Sequence, residues 1–297
     1  MGEGNMFANL LLGIMNAAES RIKEENTYMG EDGYRHCKVC GEPIEAQTEE
    51  EIRAVFPWKT TRVRMCRCDR EEEEAEREQA KKAEARYQIE QMRSEGLYSD
   101  LYRECTFDTD DKRLEKVSAL ARMYADRFDE MAEQNIGLMF WGGVGTGKTY
   151  YAACIANALI EKHHPVIMAP VQDLVSDMTE NYGENRNYVL SLVERVDLLI
   201  LDDLGVERGT DYMQQHVYDI INTRANANKP LIVTTNLSPS DFDNETVDIK
   251  KRTYDRVKGL CQYVLVGGES RRKEMSKEKN ELLKEMWRTM REAGETK

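Results

Sequence analysis

The stretch FWGGVGTGKTYYAA, residues 140–153, decides how the rest of the chain is read. Apolar residues run into four glycines, Gly142, Gly143, Gly145 and Gly147, then into Lys148 and Thr149, and back into an apolar pattern. With Val144 and Thr146 between them, the residues from Gly142 to Thr149 fit G-x-x-x-x-G-K-[ST]. Glycines let such a loop curl until successive backbone N–H groups point inward at phosphate oxygens, and a helix starting at its end adds partial positive charge. All eight residues then cradle the phosphates of ATP, with Lys148 bridging the β- and γ-phosphates and Thr149 ligating Mg²⁺. The competing account is a glycine-rich turn with no ligand. Chance produces this octet in about one such chain in a hundred, and the strand-like run before it and helix-like run after it are the context the chemistry requires.

Outward from the loop, short apolar runs alternate with amphipathic segments. IGLMFW (136–141), PVIMAP (165–170), VDLLIL (196–201), LIVTTN (231–236) and CQYVLV (261–266) are the strand candidates. They predict an α/β fold in which a five-stranded parallel sheet is sandwiched by helices. VDLLIL ends in Asp202 and Asp203, and carboxylates at that end of a strand lie at the ligand edge of such a sheet. Asp202 fits the magnesium-holding role, and Asp203 is placed to polarise an attacking water as general base. Without the glycine loop, a solvated turn would account for the pair. LIVTTN ends in Thr234, Thr235 and Asn236. The neutral amide of Asn236 can bond both the γ-phosphate and the lytic water without adding charge.

Composition bounds the partners. With 297 residues, one full-sized core plus a smaller module is expected. A formal charge of −13 argues against coating nucleic acid or an anionic membrane, and confines any such contact to a local basic patch. The apolar opening MFANLLLGIMNAA is too short to span a bilayer. A cytoplasmic protein with no membrane partner is expected. Four of the seven cysteines gather as Cys37-x-x-Cys40 and Cys66-x-Cys68. Two thiolate pairs can close a tetrahedral zinc site, with His36 or His163 as conceivable substitutes for one thiolate. Cys105, Cys154 and Cys261 read as small apolar core residues. Four regions are expected: 1–68, partner-binding, with the zinc module at 36–68; a charged helical linker, 69–95; an ATPase domain, 96–272; and an amphipathic helical tail, 273–297.

Taken together, GGVGTGKT, LLILDDLG, VTTNLS, RTYDRVKGLCQYVLVGGESRR and the upstream ECTFDTDD resemble the AAA+ ATPases of the bacterial DnaC/DnaI replicative helicase loaders and their relative IstB, a helper of transposition. The resemblance covers roughly residues 96–272. It implies a trans-acting arginine finger at Arg256, with Arg252 as rival, and a second sensor in cis at Arg272. A finger acting in trans implies self-association into a ring or spiral. The resemblance further implies a zinc module that engages the replicative helicase, and single-stranded DNA held by the ATPase assembly. Acid around the cysteines (Glu42, Glu45, Glu49 to Glu51, Glu71 to Glu74) favours a protein surface over DNA for that module, with Arg62, Arg64 and Arg67 a local exception. Many AAA+ proteins carry Asp-Glu where this chain has Asp202-Asp203, which points to slow, switch-like hydrolysis. Two other functions fit the phosphate loop: an IstB-like transposition helper, and a small-molecule kinase, which would want an acceptor site and a lid.

Overall fold

A computed structural model describes residues 26–58, 60–179, 185–205 and 211–294. The apolar opening segment lies outside them. The described residues form two compact units that divide between Arg86 and Tyr87.

In the first unit, β1 (Thr27–Met29) pairs antiparallel with β2 (Arg35–Cys37), and β3 (Glu45–Gln47) with β4 (Thr61–Val63). A short helix, α1 (Glu50–Val55), lies between β3 and β4 in sequence. The charged segment 69–95 falls within one helix, α2 (Arg67–Gly96). Its strong helix formers, together with i,i+4 pairs such as Arg77–Glu73 at 2.7 Å, hold a helix that offers almost no apolar face. The unit's main apolar cluster is small: Cys37, Ile44 and Cys66, with Cys40 and Cys68 against them.

The second unit is built on the parallel sheet. Ahead of it come α3 (Asp100–Glu104), a 3₁₀ turn at Phe107–Thr109, α4 (Glu115–Asp126) and α5 (Phe128–Glu133). There follow β5 (Gly137–Trp141), α6 (Lys148–Glu161), β6 (Val166–Pro170), α7 (Val171–Thr179), α8 (Arg186–Arg195) and β7 (Leu198–Leu204). The chain continues through α9 (Asp211–Asn226), β8 (Leu231–Thr235), α10 (Pro239–Asp243), α11 (Asp248–Leu260), β9 (Cys261–Leu265) and α12 (Arg271–Gly294). All five expected strands are present, in the order β6-β7-β8-β5-β9, every neighbouring pair parallel.

Strand alternation divides the core into two layers. Leu138, Phe140, Met168, Leu198, Ile200 and Ile232 pack with α4 and α6. Met139, Ile167, Leu199, Leu201, Leu231 and Val233 pack with α7, α8, α9 and α11. Both faces are covered, which is why the strands read as near-continuous apolar runs. The order has a functional consequence: β8 lies between β5, which feeds the glycine loop, and β7, which ends in the aspartates.

Along α12, Leu282, Leu283, Met286, Trp287 and Met290 form one stripe, and all are exposed. Nothing among the described residues covers it, although the start of α12 is tied to the sheet unit by Arg271–Asp111 and Arg113–Glu274.

Arg224 is fully buried. Its guanidinium donates to the carbonyls of Pro230, Val193, Val196 and Asp197 at 2.6–2.9 Å, tying the end of α9 to the turns before β7 and β8. Burial lowers its pKa to about 10, so it stays charged at neutral pH. Arg224→Met keeps the stem but strands those carbonyls, and is expected to lower unfolding free energy by about 3 kcal/mol or more. The shift in denaturant midpoint checks this.

Candidate nucleotide site and metal centre

The glycine loop leaves β5 and enters α6 with Gly142, Gly145 and Gly147 at φ of 146°, 79° and 108°. Those values lie where only glycine sits without strain. Gly147 caps α6, so the first N–H groups of a fourteen-residue helix face the loop. Lys148 is buried there, its Nζ donating to Gly142 O (3.0 Å), Gly143 O (2.8 Å) and Asn236 Oδ1 (2.8 Å). Burial pushes its pKa down, while the charges of Asp203 and Asp202 push it up and Arg272 lowers it again. The lysine is thus desolvated, anchored by neutral oxygens and already in contact with the amide at the end of β8.

Asp202 is the meeting point. Its Oδ1 accepts from Thr149 Oγ1 at 2.9 Å and from Thr234 Oγ1 at 2.5 Å; its Oδ2 accepts from the buried Tyr102 hydroxyl at 3.0 Å. Oxygen donors from Thr149 and Asp202 suit a hard cation such as Mg²⁺. The pairing of β7 with β8 slips here: Leu201 faces Val233 but Leu204 faces Thr235, so two aspartates oppose one threonine. This bulge re-aims both side chains. Asp203 takes up the extra residue in a left-handed conformation, φ 56°, which aspartate tolerates better than most residues. Its N–H donates to Thr234 Oγ1 at 3.0 Å, so one hydroxyl fixes the backbone of Asp203 and the carboxylate of Asp202 together.

Other expected residues divide into near and far. The stem of Arg272 runs against the loop, its Cγ 3.6 Å from where a Cβ on Gly145 would lie, and its charge reaches both Lys148 and Asp203. Arg271, which no motif singles out, is closer still. Its N–H donates to Gly145 O at 2.9 Å, and its guanidinium pairs with Asp111 at 2.9 Å and lies over the Tyr150 and Tyr151 rings. Arg256 is exposed on α11 and makes no ion pair among the described residues, whereas Arg252 is paired with Asp248 at 2.9 Å. Among the described residues, no contact brings either arginine to this chain's own loop. Tyr102 is likewise a site residue without a sequence signal: it stands 100 residues before Asp202, in a stretch with no motif.

In the first unit, Cys37, Cys40, Cys66 and Cys68 bring their Sγ atoms within 4.8 Å of one another. A zinc ion with four Zn–S bonds near 2.3 Å needs sulfurs about 3.8 Å apart, so the cluster fits the ion with little adjustment. His36 is committed elsewhere, Nδ1 to Gly41 O and Nε2 to Asp32, each at 3.0 Å. His163 follows α6 in the other unit and is not part of the cluster. The Glu42 backbone holds the Cys40 thiol down at about 6, while burial pushes Cys66 up to about 12 and its bond to Cys40 pushes Cys68 up to about 11. Negative charge gathered on sulfurs this close together repels, and a divalent ion would offset it.

Asp203 has its pKa raised, first by burial and then by the charge of Asp202. Such a group favours folding below the ordinary carboxylate pKa and loses that contribution as pH rises through the raised value. Asp203→Asn, which also tolerates the left-handed backbone, is expected to melt no lower than wild type at pH 7–8. Its advantage should shrink as pH falls through the raised value and be gone below about 4; melting curves across pH check it. For the cysteine cluster, chelator or Cys66→Ser is expected to release one zinc per chain and open residues 26–86 to protease while nucleotide affinity persists, read by metal analysis and limited proteolysis.

A family model described as IstB-like ATP binding protein matches residues 62–279. The replicative helicase loader DnaC of Escherichia coli (strain K12) is 30% identical over 180 residues, covering 58% of this chain and 71% of that protein. DnaC of Buchnera aphidicola subsp. Schizaphis graminum is 28% identical over 169 residues, 54% of this chain and 65% of that protein. The crystal structure of DnaI superposes with a TM-score of 0.49 at 23% identity, over 59% of this chain and 95% of that one. The family model spans well over half of the chain and takes in the glycine loop, both aspartates and the late arginines. The chain therefore belongs to the IstB-like ATP-binding protein family.

Proposed function

We propose that this protein is an ATPase that loads a replicative helicase onto single-stranded DNA. The observation that carries the reading is the convergence of Lys148, Thr149, Asp202 and Asn236 at one sheet edge. Its kinship with proteins named as helicase loaders supplies the biological direction. In this reading the loop from Gly142 to Thr149 holds ATP, Thr149 and Asp202 hold Mg²⁺, Asp203 activates water, and Asn236 reports the γ-phosphate to Lys148. Magnesium supplies charge neutralisation of the phosphates; the chain's own residues fix the loop, the carboxylates and the amide in advance. Arg272 completes the phosphate contacts in cis.

Arg256 serves a neighbour's site, because an exposed guanidinium without an ion pair is free to stabilise charge on transferring oxygens elsewhere. The assembly is then a ring or spiral of copies, working in the cytoplasm. Residues 96–272 form the ATPase and 36–68 the zinc module that engages the helicase, with 69–95 as the linker. Among the described residues no helix is long and apolar enough to cross a membrane. The family's IstB name keeps a transposition helper as the second reading; the partner that binds in an ATP-dependent manner, helicase or transposase, separates the two.

The experiment follows hexameric replicative helicase transferred to circular single-stranded DNA, with and without the protein and ATP. ATP-dependent transfer supports the reading, and transfer unchanged by Lys148→Ala refutes it. The trans finger has its own test. Arg256→Ala is expected to retain ATP affinity and lose hydrolysis at least tenfold. Mixing it with Asp203→Asn subunits should restore part of the turnover, since the second variant supplies the finger and the first supplies the water-activating carboxylate.

A further inference from the structure

The segment that carries Tyr102 is held more firmly than its length requires. Gly96, the last residue of α2, passes so close to β6 that a Cβ there would lie 2.0 Å from Val166 O. Leu97 forms a parallel bridge with Met168, and Tyr98 N–H donates to Met168 O at 3.1 Å, so the chain lies along the outer edge of β6. Ser99 caps α3 by accepting from Leu101 N–H at 3.3 Å. From the other side Asn157, buried on α6, donates from Nδ2 to Tyr102 O (2.7 Å) and Cys105 O (2.9 Å). Clamped between a sheet edge and the helix that starts at Lys148, α3 has one buried hydroxyl to spend, and it goes to Asp202 Oδ2.

We infer that Tyr102 is a positioning residue for the magnesium site, and that the seating of α3 sets the orientation of the Asp202 carboxylate. The inference rests on the nucleotide-site reading and adds a residue to it. The reason is geometric. Thr149 and Thr234 both bond Oδ1, which leaves the carboxylate free to pivot about that oxygen unless Oδ2 is also held. Tyr102 supplies the second point of attachment. With Thr149 engaged by a metal ion instead, Thr234 and Tyr102 would still hold both oxygens. Magnesium demands near-ideal octahedral geometry and tolerates a rotated ligand poorly. Groups that orient a ligand from behind typically change metal affinity by about 10–100-fold when removed. Because α3 begins four residues after α2 ends, displacement of that junction acts on Asp202 through the same hydroxyl.

The test is the affinity of the full chain for a fluorescent ATP analogue, titrated with magnesium and separately in EDTA. Tyr102→Phe keeps the ring and removes the hydroxyl. It is expected to bind nucleotide as wild type does in EDTA and to need about tenfold more magnesium to reach the tighter state. Equal behaviour in both arms, or an equal loss in both, overturns the inference. Asn157→Ala is the second variant, freeing α3 while leaving the hydroxyl in place. The same magnesium-selective loss supports the role of α3 seating; a normal magnesium response contradicts it. Wild type that gains no affinity from magnesium would instead refute the nucleotide-site reading itself.

Discussion

The bond from Thr149 to Asp202 joins the two halves of this site. One end belongs to the helix that begins at the glycine loop, the other to a strand two places away in the sheet. Asp202 is buried, and an isolated carboxylate cannot be held there cheaply. Three hydroxyls from three separate elements meet that requirement: Thr149 on α6, Thr234 on β8 and Tyr102 on α3. Each serves a carboxylate whose place is dictated by the packing of β7, so the sheet and the site are fixed by the same residues. The neighbouring Asp203 and Lys148 are both shifted toward neutrality by desolvation, so the charge of each is held there at a cost.

The strand order lets the end of one strand touch both halves of the site. Because β8 is inserted between the loop strand and the aspartate strand, its last residues touch both. Asn236 meets Lys148, Thr234 meets Asp202 and the backbone of Asp203, and Thr235 Oγ1 donates to Leu204 O across the bulge. The end of β8 is thus bonded both to the lysine of the glycine loop and to the aspartate strand. The cysteine unit works on different physics. Its apolar cluster consists of little besides Ile44 and the cysteines themselves, so an ion held by the four thiolates would supply order that a hydrophobic core this small does not.

Local chemistry is what the sequence makes legible. Strands buried on both faces announce themselves as apolar runs, and the glycine loop, the aspartate pair and the cysteine spacing each carry their chemistry in a few adjacent residues. Contacts made by distant residues of ordinary type are not legible in this way. Tyr102 and Asn157 sit in unremarkable helical segments, and only the fold brings the one to Asp202 and the other to the backbone of α3. The β7 bulge has no sequence signature, since Asp203 is not the glycine that usually marks a positive φ. Arg271 and Arg272 are adjacent; the resemblance singles out Arg272, whose charge reaches Lys148 and Asp203, but nothing in the sequence shows that Arg271 lies over Tyr150. The exposed stripe on α12 departs from expectation for the opposite reason: an apolar face predicts burial, and the described residues contain nothing that covers it.

The central claim is that one magnesium–triphosphate joins the glycine loop to Asp202. A crystal structure of the protein with a non-hydrolysable ATP analogue and manganese, the ion located by its anomalous signal, tests it most directly. The account predicts phosphate oxygens among the N–H groups of Gly145 to Thr149, with the ion bound by Thr149 Oγ1 and close to Asp202. An ion bound away from both residues, or phosphates lying outside the loop, would contradict it.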